Sequence, residues 1–243
     1  MKLNYRVILH ILGILIIING VFMILTLIFS EADDFYGILI AGLITLAVGG
    51  SLFFATRNIS NRDVKKKEGY LIVTLGWLMM TIFGTLPYLI TGAIPDYTNA
   101  FFETLSGYST TGATILQDIE GLSSGVLFWR SLTQWIGGMG IIVLTVAVLP
   151  ILGIGGMQLF VAEAPGISPD KLQPRIKETA KRLWYIYLGL TVAETLLLWV
   201  GGLSFFDAIN HALTTMATGG FSTKNDSIAH FTSPFIQYTI TFF

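Results

Sequence analysis

Tyr108-Ser109-Thr110-Thr111-Gly112-Ala113-Thr114-Ile115 is a short, uncharged stretch, rich in hydroxyls and glycine, with no nucleophile partner beside it. Its setting gives it meaning. A half-length apolar run, residues 99–108, leads into it, and long apolar segments flank both. A related stretch, Ala217-Thr218-Gly219-Gly220-Phe221-Ser222, returns further along in the same kind of setting. Polar, non-helical backbone is tolerated at membrane depth only where it is buried in protein or lines a water-filled path. The two stretches are therefore read as two parts of an ion-selective pore.

Composition supports the membrane setting. Of 243 residues, 53% are hydrophobic and 12% charged, with a mean hydropathy of +0.71. A soluble domain carries about 25% charged residues, so half that share points to an all-α polytopic membrane protein in contact with lipid. The net charge of −1 offers no basic surface for nucleic acid. Without cysteine there is no disulfide framework, thiolate metal site or cysteine nucleophile. His10, His211 and His230 are scattered and make no metal-ligand spacing. Gly137-Gly138-Met139-Gly140 and Gly153-Ile154-Gly155-Gly156 resemble nucleotide loops, but they follow no strand and sit in apolar helix. Close helix packing or bending explains them better, and no organic cofactor is expected.

The apolar segments predict spans at residues 7–29, 36–55, 69–90, 125–154 and 183–203, with a final stretch at 233–243. Lys2 and Arg6 precede the first, which is too long for a signal peptide core and long enough to cross a bilayer. Residues 99–108 and 207–216 are half-length runs, too short to cross. A basic loop (Arg57, Arg62, Lys65, Lys66, Lys67) and a polar, basic stretch at 158–181 join the spans. With a cytoplasmic N-terminus, only Arg130 and Lys224 of the 14 Lys and Arg fall outside, as the positive-inside rule requires. Both half-length runs and both polar loops then enter from the outer face, the re-entrant pattern of a pore.

An offset of 108 residues lays Asn99-Ala100 on Asp207-Ala208, Leu105 on Leu213, Thr110 on Thr218, Gly112 on Gly220 and Thr114 on Ser222. The unit that repeats is outer helix, re-entrant half-helix, polar loop, inner helix, running parallel rather than inverted. This divides the chain into a two-helix region (1–68), a first repeat with its cytoplasmic connection (69–182) and a second repeat (183–243). The offset sets Phe243 on Trp135, well inside segment four, so the last helix reads as cut short and the chain as a partial sequence of a larger protein.

A dehydrated cation needs several close oxygens, and backbone carbonyls supply them without burying a full negative charge. The residues expected to form such a filter are Thr110, Thr111, Gly112 and Ala113, with Thr218, Gly219, Gly220 and Phe221. Glycine permits the unusual dihedrals this demands; the threonines add hydroxyls or pack behind the carbonyls. The half-helices aim their partially negative C-terminal ends at the pore, with Asn99 and Asp207 as expected N-caps. Asp118 and Glu120 follow the first loop and are candidates for concentrating cations at the outer mouth, solvated acids being the plainer reading. Glu103 and its repeat partner His211 are candidates for support behind the filter, with a structural role as the alternative. Arg130 lies at membrane depth, where an unpaired charge is costly; Glu103 and Asp118 are its candidate partners.

These residues resemble the Trk/Ktr/HKT superfamily of potassium transporters, and within it the bacterial TrkH-type members. The resemblance rests on Ser106-Gly107-Tyr108-Ser109-Thr110-Thr111-Gly112-Ala113-Thr114, on Trp129-Arg130-Ser131-Leu132-Thr133-Gln134-Trp135-Ile136-Gly137-Gly138-Met139-Gly140, and on Thr215-Met216-Ala217-Thr218-Gly219-Gly220-Phe221-Ser222-Thr223. It implies four helix–pore-helix–helix repeats around one pore, with Gly112 and Gly220 at selectivity positions and potassium as the ion carried. It also implies the remaining repeats as partners, a homodimer, a cytosolic nucleotide-responsive regulatory subunit of TrkA type, and a bacterial inner-membrane location. Only two of those repeats are present, the second incomplete, and the intramembrane gating loop of the third is absent. Three alternatives stand beside potassium uptake. One is a sodium- or proton-coupled symporter on the same fold, and one is a structural half-pore needing a partner chain. The third is a membrane-embedded enzyme, for which the ionisable residues are too scattered, so the chain is read as not an enzyme.

Overall fold

The computed structural model describes residues 3–58, 64, 66–140 and 175–243. Every regular element among them is helical: α1 (Tyr5–Leu25), α2 (Ala32–Ala55), α3 (Lys66–Gly84), α4 (Leu86–Thr91), α5 (Tyr97–Tyr108), α6 (Ser124–Gly138), α7 (Arg175–Val200), α8 (Phe205–Met216) and α9 (Pro234–Phe242). Single 3₁₀ turns, Thr26–Ile28 and Ser227–His230, follow α1 and precede α9.

Four stretches are long and apolar enough to cross a membrane: Tyr5–Ile28, Ala32–Ala55, Lys67–Thr91 and Lys181–Val200. The third is two helices rather than one. Pro87 has no N–H to donate, so the hydrogen-bond ladder is interrupted around Thr85, which keeps helical dihedrals (φ −73°, ψ −24°), and α4 follows. The two half-length runs form α5 and α8, 12 residues each, or about 18 Å of helix against a hydrocarbon core of about 30 Å. They enter and stop. Segment four is helical over Ser124–Gly138; its continuation to residue 154, the basic residues Arg62 and Lys65, and most of the polar stretch at 158–181 lie outside the described residues. Helix α7 begins at Arg175, earlier than the expected 183, because charged residues extend it beyond the apolar part.

Helix α6 is the centre of the packing. Every residue from Gly125 to Ile136 is buried, and neighbours reach it from several sides. The Trp129 indole donates to the Gly84 carbonyl at 3.0 Å, holding the end of α3. Tyr187 of α7 donates to the Trp135 carbonyl at 3.1 Å, and the two rings stack at 5.4 Å. Helices α1 and α3 are joined through Asn19, which donates to the Met80 carbonyl at 3.2 Å and accepts from the Tyr108 hydroxyl at 2.6 Å. Buried polar groups cost little once paired, and these pairs fix where α5 ends.

Candidate functional site: two adjoining polar loops

Both re-entrant helices end in the same way. The Thr111 N–H donates to the Ser106 carbonyl at 3.0 Å and the Thr110 N–H to the Gly107 carbonyl at 2.9 Å. Displaced by 108 residues, Gly219 donates to Thr214 at 2.9 Å and Thr218 to Thr215 at 2.8 Å. This is the Schellman arrangement, which requires a left-handed residue just past the helix. That residue is threonine in each case, with φ of 54° at Thr110 and 52° at Thr218. A β-branched side chain is a genuine outlier there and costs about 1–2 kcal/mol. Two of the three non-glycine residues with positive φ among the described residues are these equivalents, so the strain belongs to the design of the loop.

The next left-handed residues are Gly112 (φ 73°) and Gly220 (φ 78°), with Thr111 and Gly219 between them not left-handed. Residues that alternate in hand turn successive peptide groups the same way, gathering N–H groups on one side and carbonyls on the other. A strand would send them alternately to both sides.

The loops touch. A Cβ on Gly112 would overlap the Gly219 carbonyl oxygen, and a Cβ on Gly219 would run into the amide of Gln134. That amide is fully buried on α6, and its Oε1 accepts from the Phe221 N–H at 3.1 Å. One helix turn away, Arg130 Nε donates to Glu103 Oε1 at 2.7 Å, with side-chain exposures of 2% and 0%. Its Nη1 donates to the Ser222 carbonyl at 3.0 Å, and its Cζ lies 3.7 Å from the centre of the Phe221 ring. Glu103 is saturated on its other side by the Thr114 hydroxyl at 2.9 and 3.0 Å and the Ile115 N–H at 3.1 Å. Thr114 and Ser222 are equivalent positions, so one buried ion pair joins the same point of both loops. Desolvating two charges is repaid only when the geometry is good and the remaining donors and acceptors are satisfied, as they largely are here.

Several expectations change. Asp118 does not meet Arg130; its Oδ1 accepts from the Asn225 side chain at 3.3 Å and from the Gly121 N–H at 3.2 Å. Glu120 accepts from the Asn225 N–H at 3.2 Å, and the Asn225 side chain accepts from the Ile119 N–H at 2.7 Å. Asn225 thus pins the exit of one loop to that of the other. The N-caps are Asp96 and Ser204, not Asn99 and Asp207, since each helix starts two residues earlier than read. Asp96 and Ser204 accept from the N–H groups of Asn99 and Asp207, at 2.9 and 3.0 Å. His211 does not repeat the role of Glu103: its ring meets the Phe231 edge at 5.1 Å, and Nε2 has no hydrogen-bond partner among the described residues.

A model of the TrkH cation transport proteins matches residues 36–243. The chain belongs to the TrkH family. This is a family of multi-pass membrane transporters rather than enzymes. The chain is 45% identical over 247 residues to the Trk system potassium uptake protein TrkH of Escherichia coli K12, covering 99% of itself and 51% of that protein. It is 34% identical to TrkG of the same strain, over 96% of its own length and 49% of the other. The crystal structure of the potassium transporter TrkH from Vibrio parahaemolyticus superimposes with a TM-score of 0.80 at 38% identity, covering 99% of this chain and 49% of that one. The TrkH-family chain spans about half the length of the curated relatives it matches.

Within this TrkH-family chain the residue that sequence reasoning passed over is Gln134. A signal was present: it lies four residues after Arg130, on the same face of an apolar helix. The Asn19–Tyr108 bond had no such signal, because its partners are 89 residues apart.

Proposed function

We propose that the loops at residues 110–113 and 218–221 are two quarters of a potassium-selective filter, and that the chain serves potassium uptake across a bacterial inner membrane. The observation that carries this reading is the repeated backbone: left-handed threonine, intervening residue, left-handed glycine, at the same distance past two re-entrant helices. The ion is bound by carbonyl oxygens of Thr110, Thr111, Gly112, Ala113 and of Thr218, Gly219, Gly220, Phe221, helped by the partial negative charge at the ends of α5 and α8. Potassium is the substrate. Residues 1–68 form a leading helix pair, 69–182 the first repeat and 183–243 the second, with the N-terminus cytoplasmic. Two further repeats complete the ring of oxygens, and a second copy of the protein and a cytosolic nucleotide-responsive subunit of TrkA type are the expected partners.

The test is rubidium or potassium uptake by the full-length natural protein in a strain lacking other potassium uptake. Gly112→Val should abolish uptake or its preference for potassium over sodium while the protein still reaches the membrane. Unchanged uptake and preference would overturn the filter assignment. Reversal potentials under imposed potassium, sodium and proton gradients separate simple potassium passage from coupled symport.

A further inference from the structure

Glu194 lies fully buried in α7, inside the candidate span Lys181–Val200, and the filter reading leaves it unused. Neither of its carboxyl oxygens has a partner of full hydrogen-bond geometry among the described residues. No described cation pairs with it either; the ion pairs among those residues are Arg130–Glu103 and Arg182–Glu178. Burying a polar group without a partner is costly, and an ionisable side chain within a membrane span points to function by default.

Its own helix does not supply the donor. The hydroxyls of Thr191 and Thr195 are spent on the carbonyls of Tyr187 and Thr191, each at 2.8 Å. Across the helix interface the polar side chain that Glu194 meets is Thr215, in the last turn of α8. A hydroxyl rotates freely and the terminal torsion of glutamate is broad, so a small rotation of either group completes a bond between them.

The place matters more than the bond. The Thr215 carbonyl accepts from the Thr218 N–H at 2.8 Å, one of the two bonds that hold the left-handed threonine of the second loop. Its equivalent in the first repeat is Gly107, whose carbonyl accepts from Thr110. There the helix end rests directly on α6, since a Cβ on Gly107 would overlap the Thr133 hydroxyl. That support is missing from the second repeat: Thr241 of α9, the equivalent of Thr133, is exposed. Conversely, α3 and α4 carry no acidic residue after Glu68. A threonine and a glutamate, neither with a counterpart of its kind in the first repeat, therefore face each other behind the second loop.

We propose that Glu194 is a positioning residue for the second filter loop, holding the end of α8 through the Thr215 hydroxyl by a hydrogen bond and not by charge. A lone negative charge would stand in an apolar interior beside the partially negative end of a helix. This inference rests on the filter reading. Rubidium and sodium uptake by the full-length natural protein are compared at equal membrane levels, with unfolding midpoints taken in detergent. Glu194→Met and Thr215→Val should each lower the rubidium-to-sodium ratio about three- to tenfold, the worth of one hydrogen bond. The double variant should lose no more than the larger single change, and its midpoint should stay level or rise, because both partners become apolar. Glu194→Gln keeps the shape and the hydrogen bond and should keep the natural ratio. An unchanged ratio in Glu194→Met and Thr215→Val, additive losses, or Glu194→Gln as harmful as Glu194→Met would each overturn the proposal. So would lowered midpoints with the ratio intact, the mark of a merely structural role. If Glu194→Met fails to reach the membrane, Thr215→Val decides. Gly220→Val in the same assay separates the two readings: loss of preference there with none in Thr215→Val overturns this inference alone, whereas preference intact in Gly220→Val overturns the filter assignment of that loop as well.

Discussion

The two polar loops share a backbone and differ in what holds it. The first is held from its own repeat: Glu103 of α5 closes on Thr114 and Ile115, 11 and 12 residues further on. The second is held mainly from the repeat before it, by Gln134 on Phe221 and Arg130 on Ser222, both reaching from α6, with one bond from its own helix, the Thr223 hydroxyl to Asp207 at 2.6 Å. Local chain chemistry therefore sets the conformation, through the helix-end bonds and the left-handed threonine and glycine. Position is set by a neighbour. The residues of α9 equivalent to Arg130 and Gln134 are Tyr238 and Phe242, exposed at 75% and 85%. The support that α6 gives to the second loop is not reproduced in kind one repeat later.

Breaking the shared ion pair gives the largest expected effect. Arg130→Ala leaves the Glu103 carboxylate buried without its countercharge, and removing one partner of such a pair costs about 3–5 kcal/mol. Thermal unfolding of the full-length protein in detergent should show a large fall in midpoint, and uptake should be lost. The double variant Arg130→Met with Glu103→Met should lose clearly less than the sum of its single changes; simple additivity would mean that the pair does not couple the loops.

Alanine at the two equivalent glycines sharpens the contrast. Gly112→Ala meets both the left-handed backbone and the Gly219 carbonyl, whereas Gly220→Ala meets the backbone alone, with nothing else within 4 Å. The expected cost at Gly220 is about 1–2 kcal/mol, and that at Gly112 is larger. Equal losses in the full-length protein would mean that a further loop stands against Gly220 as Gly219 stands against Gly112.

Gln134→Leu is expected to cost about 1–3 kcal/mol by leaving the Phe221 N–H buried without an acceptor. It should disturb ion preference more than protein yield, measured as the ratio of rubidium to sodium uptake. The smallest effect belongs to Thr218→Gly, which relieves the left-handed strain. It should hold the unfolding midpoint level or raise it slightly, while loosening the preference for potassium; a marked fall in midpoint would place the stabilising role in the threonine side chain itself.

Apolar pattern located the membrane helices well. Helix α2 ends at Ala55 and the re-entrant helices at Tyr108 and Met216, as the sequence reading has them. Polar loops between apolar runs stand out because hydropathy reports which atoms avoid water. It does not report which polar atoms find each other. Arg130 could be singled out as an intramembrane charge, yet the choice between Glu103 and Asp118 depended on three-dimensional facing. Asp118 was already taken by Asn225, 107 residues away. The shifted caps have a more local cause: Asp96 and Ser204 stand three residues before Asn99 and Asp207, outside the matched part of the repeat. Similarly, Pro87 was in plain view inside a continuous apolar run, and only its missing N–H betrays the break.

The direction of the clasps along the chain has a consequence for biosynthesis. Glu103 precedes Thr114 and Ile115, and Gln134 and Arg130 precede Phe221 and Ser222. A polypeptide delivered to the bilayer from its N-terminus thus lays down Glu103, Arg130 and Gln134 before the loop segments that these side chains bond. The first loop can close as soon as its own exit has been synthesised, and the second emerges onto a platform already built.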